Sequence, residues 1–205
     1  MDAHLREMPD HELLVRFAAG DARAFAELLR RYQGPMYNFL LRSVREPEAA
    51  SDLLQEVFTR VIERGHGFNN SSKFSTWLYA IARNLCVDYH RRMSHRRHAS
   101  LDGPRDAGSD GTAAPWVERI AGEQPDLEAA AASNALRQRI ATAVEALPAE
   151  QREVFLMREL QQLPFAEIAQ VAGVSENTVK SRMRYALERL QQALADFEEQ
   201  ARAQG

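Results

Sequence analysis

Apolar residues along this chain recur three and four positions apart, which predicts helices, and no stretch alternates convincingly enough for a strand. Leu13, Leu14 and Phe17 share one side of a short helix over 9–19, closed by Gly20. Asp21 is placed to cap a longer helix carrying Phe25, Leu28, Leu29, Tyr32, Met36, Tyr37, Leu40 and Leu41. Gly34-Pro35 predicts an interruption and a kink there, because proline lacks the N–H that the helix ladder uses. Pro47 opens a third helix to about Arg64, with Leu53, Leu54, Val57, Phe58, Val61 and Ile62 as one broad stripe. Residues 65–72, GHGFNNSS, have loop composition. A fourth helix starts at Ser75 or Thr76 and runs through Trp77, Leu78, Ile81, Ala82, Leu85 and Val87 into a basic cluster. From Ala99 to about Pro125 the periodicity is lost in Gly, Pro, Ser and Asp, the composition of a flexible linker.

Beyond that linker come an alanine-rich helix over 127–147, a break at Pro148, a helix over 150–160 and then the stretch Leu163–Leu190. In this last stretch Phe165, Ile168 and Ala169 form a small apolar face, and Gly173 gives the backbone freedom for a sharp turn. Ser175 can cap the following helix. There Val179, Met183, Ala186, Leu187 and Leu190 face inward, which leaves Glu176, Asn177, Lys180, Ser181 and Arg184 outside. A helix-turn-helix lays such a face in the DNA major groove. An ordinary helical hairpin with solvated charges fits the same pattern, so this stretch alone is a weak signal.

Charge changes the picture by its distribution. The net charge of −3 argues against nucleic acid only until it is mapped. Asp102, Asp106, Asp110, Glu118, Glu123, Asp126 and Glu128 concentrate acidity in the linker, whereas Arg83, Arg91, Arg92, Arg96 and Arg97 gather just before it. Cys86 is the sole cysteine, so an intramolecular disulfide and a multi-cysteine metal site are excluded; packed on a helix, it reads as a buried, inert thiol. No apolar run is long enough for a membrane span, and MDAHLREMPDHELL lacks the basic-then-apolar order of a secretory signal. An intracellular protein with no membrane insertion is expected.

Three pieces stand in order: DLLQEVF at Asp52–Phe58, FSTWLYAIARNLCVDYHRR at Phe74–Arg92, and the terminal helix-turn-helix. Together, across roughly Asp10–Arg97 and Ala132–Leu194, the chain resembles bacterial sigma factors of the extracytoplasmic-function group. The resemblance implies an all-α fold of two small helical domains: a sigma-two domain at 1–97 and a sigma-four domain at 132–205, joined by a flexible acidic linker at 98–131. It implies a transcription initiation factor that binds core RNA polymerase and takes it to −35 and −10 promoter elements. Asp52, Gln55 and Glu56 match the family's polymerase-docking surface. Phe68, Asn69, Asn70, Ser71 and Lys73 fall in the loop that takes up an unstacked base of the melted −10 element. Arg83, Asn84, Asp88, Arg91 and Arg92 match the helix face at the edge of the −10 duplex. Trp77 stays open between core and melting wedge; aromatic rings among cations suit single-stranded DNA, yet at helical spacing they serve a core equally well. Asn177, Thr178, Lys180, Ser181, Arg182 and Arg184 match the −35 reader. The resemblance also implies an anti-sigma factor as partner and a cytoplasmic location, including retention at the membrane by that partner.

Other chemistry finds little footing. Glu63-Arg64-Gly65-His66 spells the Glu-x-x-His of di-iron bundles, but at a helix end and without a second copy. No phosphate-cradling glycine loop, Ser–His–Asp order or paired buried carboxylates stands out, so no cofactor, small-molecule substrate or enzymatic reaction is expected. The rival reading is a free-standing dimeric helix-turn-helix regulator, for which the motifs before Arg92 have no use.

Overall fold

The computed structural model describes residues 3–68, 72–99 and 127–203. Among these, every regular element is helical. The first unit comprises α1 (Ala3–Glu7), α2 (Asp10–Ala18), α3 (Ala22–Val44), α4 (Pro47–Arg64), a single 3-10 turn at Gly65–Gly67, and α5 (Phe74–Ala99). The second comprises α6 (Leu127–Ala146), α7 (Ala149–Glu159), α8 (Phe165–Ala172) and α9 (Glu176–Ala203).

The helix starts follow the sequence. Asp21 accepts a bond from the Arg23 backbone N–H at 3.1 Å, and Pro47 occupies the first turn of α4, where a missing N–H costs nothing. The interruption expected at Gly34-Pro35 is not there: α3 is one helix from Ala22 to Val44. Leu28 on one side of the proline and Met36, Phe39 and Leu40 on the other are wholly buried, so packing holds the helix through the lost hydrogen bond. Ile62 also departs from its expected inward place, being about half exposed. At roughly 100° per residue, Ile62 falls beyond the arc that Leu53, Val57 and Val61 fill, so the stripe on α4 is narrower than its composition implies.

A polar knot fixes the start of the chain. Buried Glu27 pairs with Arg30 at 2.7 Å and Arg31 at 2.9 Å, and Arg31 reaches on to Asp10 and to the carbonyls of Leu5 and Arg6. Those hydrogen bonds and charges, Arg30 first, hold the Glu27 carboxyl down at about 2. In the second unit, buried Arg152 donates to the carbonyls of Glu145 and Leu147, capping the end of α6 from α7. The two units touch: α8 lies on α5 and α7 on α3, and one buried apolar cluster runs through both.

Candidate nucleic-acid interface

The helix-turn-helix forms as its local chemistry dictates. Gly173 sits at φ +65°, the left-handed conformation that ends α8 and that a residue with a side chain enters only with strain. Ser175 Oγ accepts from the Thr178 backbone N–H at 3.1 Å, which caps α9. Val179, Met183, Ala186 and Leu190 form the buried seam of α9. Leu187, expected with them, is 43% exposed; it lies about 80° around the helix from Val179, on the flank. Asn177, Lys180, Ser181 and Arg184 are exposed on the side away from the seam. Lys180 is braced by Glu176 at 2.7 Å, and the Arg184 guanidinium lies over the Tyr185 ring at 4.9 Å. Thr178 is half-buried, with its hydroxyl 2.8 Å from Ser175 Oγ. Arg182 points elsewhere: it turns toward α7 and pairs with Glu150 at 2.6 Å.

In the first unit, Asp52, Gln55 and Glu56 are exposed on α4. The structure brings two of them together with residues that the sequence placed on another surface. A groove of about 540 Å³ between α4 and α5 is lined by Asp52, Glu56, Asp88, Arg91 and Arg92. Within it Glu56 pairs with Arg60 at 3.0 Å and Asp88 with Arg91 at 2.5 Å. Each wall thus carries both signs of charge, with Arg60 beside the acids of α4 and Asp88 beside the arginines of α5.

Asn69, Asn70 and Ser71 lie outside the described residues. Beside them Phe68, Phe74 and Trp77 form an aromatic cluster with ring centroids 5.3 to 6.3 Å apart, and Phe74 also meets Tyr32 edge-on at 5.3 Å. Phe74 is core, whereas Phe68 and Trp77 are half-buried against it, with part of each ring reaching water. Trp77 is therefore both a packing residue and a surface one. Tyr79, which the motif sets beside these rings, is wholly buried and meets Phe39 edge-on at 5.2 Å. A hollow of about 480 Å³ lined by Asp10, His11, Ser72, Lys73, Phe74 and Ser75 adjoins the cluster.

The cations near this cluster have partners from the second unit. Lys73 pairs with Glu167 of α8 at 2.7 Å, and Arg83 with Glu153 of α7 at 2.6 Å. Thr76, also buried, donates its hydroxyl to Glu167 at 2.6 Å. Asn84 and Arg92 are exposed. Thr76, Glu153 and Glu167 carried no sequence signal, since their partners lie far away along the chain. Buried Cys86 has its thiol pushed up to about 12 by desolvation, which leaves it unreactive.

Comparison with known proteins agrees with this geometry. The family model for sigma-70 region 2 matches residues 28–97, and that for sigma-70 region 4 matches residues 137–190. The chain is 28% identical over 191 residues to the ECF RNA polymerase sigma factor SigW of Bacillus subtilis, covering 93% of this chain and 100% of that protein. It is 30% identical to the RNA polymerase sigma-H factor of Pseudomonas aeruginosa, covering 93% and 96%, and 30% identical to the sigma-E factor of Escherichia coli, covering 86% and 90%. In fold it is similar to the sigma factor RpoE of Bartonella quintana, solved in complex with the anti-sigma factor NepR, with a TM-score of 0.66 at 23% identity over 83% of this chain and 96% of that one. Nothing in these matches favours a free-standing dimeric regulator. With both sigma-70 regions matched in order and a helix-turn-helix at the end, the chain belongs to the extracytoplasmic-function RNA polymerase sigma factors.

Proposed function

We propose that the two helical units hold promoter DNA jointly while mounted on core RNA polymerase, each through the residues named above. The observation that carries this reading is α9: a capped helix after a left-handed glycine turn, with Asn177, Lys180, Ser181 and Arg184 exposed opposite its buried seam. Lys180 and Arg184 are the base and phosphate contacts at the −35 element, with Asn177 and Ser181 as polar readers and Thr178 near the helix start. Arg182 serves this face by holding α9 to α7 through Glu150 rather than by contacting bases.

In the first unit Asp52, Gln55 and Glu56 dock the polymerase, and an acidic, exposed helix face suits a partner surface rich in Arg and Lys. Phe68 and Trp77 offer rings for unstacked bases of the −10 element, with Asn69, Asn70 and Ser71 reading the flipped base. Lys73, Arg83, Arg91 and Arg92 meet phosphate, and Asn84 and Asp88 line the duplex edge. Capture of unstacked bases offsets an unpairing cost of a few kcal/mol. Bond formation belongs to the polymerase, and this chain supplies positioning without covalent chemistry. The domains run 1–97 and 132–205, with 98–131 between them.

An anti-sigma factor as partner is supported by the Bartonella quintana sigma factor having been solved with one. A cytoplasmic site of action follows from the polymerase, and no helix among the described residues is long and apolar enough to cross a membrane.

Run-off transcription with purified core polymerase tests the reading. Asp52→Arg with Glu56→Arg is expected to abolish the transcript while the thermal melt stays unchanged; full activity in that variant would remove the docking surface. Band-shift on promoter DNA with and without core polymerase separates this from a free-standing regulator, which would bind tightly alone.

A further inference from the structure

The first unit carries a stretch of helix that its own packing does not use. Tyr89 donates its hydroxyl to Glu46, at the start of α4, and His90 Nε2 lies 3.1 Å from the Ser43 carbonyl, at the end of α3. These two contacts mark the edge of the unit, yet α5 runs on to Ala99. Past Arg92, Met93 is still partly covered, whereas Ser94, His95 and Arg96 are exposed. Among the described residues none pairs with Arg92, His95 or Arg96. Asn84, Asp88 and Arg92 follow one another four apart on the face assigned above to the −10 duplex edge, and Arg96 is the next step of that row. Arg91 and His95 form a second row beside it. The dipole of a helix end favours cations, but it fades within the last turn and so does not account for Arg92 and His95.

We propose that the far end of α5, through Arg96 and His95, holds the phosphate backbone of the double-stranded spacer between the −10 and −35 elements. This rests on the assignment of α5 to the −10 element. The helix orders its chemistry along the DNA: Trp77 near its start, with Phe68 beside it, presents a ring for unstacked bases, and the cations at its end have only charge to offer. Between Trp77 and Arg96 α5 rises about 28 Å at ~1.5 Å per residue, the span of roughly eight base pairs. Because the start site has to be open, the duplex that stays paired beside the −10 element is the spacer on its −35 side. Arg92 and Arg96 stand about 6 Å apart along the helix, near the separation of alternate phosphates at ~3.4 Å per base pair. Residues 93–96 add neither a carboxylate nor an exposed large apolar side chain, so this surface has one sign and little to offer a protein partner. Such a contact reads no bases. It fixes the register of the unit on the duplex and adds affinity common to all promoters.

Arg96→Ala keeps the helix, since alanine is the best helix former, and removes one charge. Holoenzyme formed from the full chain and purified core polymerase is titrated with two probes. One is a forked promoter with a single-stranded −10 element and a duplex spacer; the other is the single-stranded −10 oligonucleotide alone. On the fork the variant is expected to bind about threefold more weakly, with the slope of log affinity against log salt lower by about 0.9, one phosphate contact. On the oligonucleotide it is expected to match the parent. Adding His95→Ala is expected to weaken fork binding further, and Arg96→Lys to keep most of it, since a point charge suffices for phosphate. Neutral methylphosphonates in place of the spacer phosphates beside the −10 element are expected to make parent and Arg96→Ala alike. An unchanged affinity and slope on the fork would overturn the contact and leave the helix end merely solvated. So would an equal loss on both probes, which puts Arg96 at the melted bases, or a loss of core polymerase binding, which gives the surface to protein. If the parent holoenzyme does not prefer the promoter fork to a scrambled one, the functional reading itself fails, and the contact with it.

Discussion

The two surfaces proposed to meet DNA are made in opposite ways. On α9 the proposed reading face stands in water, opposite a single buried seam, and its cations are braced within their own helix by Glu176 and Glu188. On α5 the start of the helix is packed on several sides: Phe74, Leu78, Tyr79 and Ala82 are buried, and Lys73 and Arg83 are met by another domain. A duplex reader needs only one exposed face, because base edges are already presented in the major groove. A surface that takes up unstacked bases needs rings whose inner edges are fixed in a core while the outer edges stay accessible, which ties it to the stability of its unit.

The largest expected effect tests that tie. Phe74→Ala removes a core ring that touches Tyr32, Phe68 and Trp77, and is expected to cost about 3–5 kcal/mol in a chemical-denaturation measurement. Phe165→Ala, at a half-buried ring under the Arg158 guanidinium, is expected to cost only about 1–2 kcal/mol. Equal losses would erase the distinction between the units.

Acid acts on the first unit next. Glu27 falls from an ordinary 4.5 to about 2 on folding, so its contribution is full above the unfolded value and is lost as the pH drops from about 4.5 toward 2. That contribution is on the order of 3 kcal/mol, and Glu27→Gln is expected to flatten this part of the stability–pH curve. An unchanged curve would mean that the Arg30–Glu27–Arg31 knot is not what anchors α1 and α2.

The smallest effect separates two arginines two residues apart on α9. Arg184→Ala is expected to lower initiation from a −35-dependent promoter about tenfold, as for loss of one good base contact. Arg182→Ala, whose guanidinium is engaged by Glu150, is expected to leave it within about twofold. The reverse order would put the reading face on the wrong side of the helix.

Short-range pattern is enough to specify the helices, the caps at Asp21 and Ser175 and the face of α9. Each of these depends on residues within a few positions of one another: Asp21 with Arg23, Ser175 with Thr178, and the spacing of Val179, Met183, Ala186 and Leu190. Where several helices converge, the pattern was blind. It sets Leu187 and Ile62 inward because it cannot see where a neighbouring helix stops covering them, and it breaks α3 at Pro35 because it cannot weigh the packing on either side. It placed Lys73 and Arg83 on a DNA surface without their present partners, since Thr76 and Glu167 are 91 positions apart and no periodicity reaches that far. Long-range packing makes Trp77 at once packed and accessible, brings the acids of α4 and the arginines of α5 into one groove, and lays carboxylates of the second unit on the first. Local hydrogen bonds and helical spacing are set by a handful of neighbouring residues, whereas burial and charge pairing are properties of surfaces that exist only once distant helices have come together.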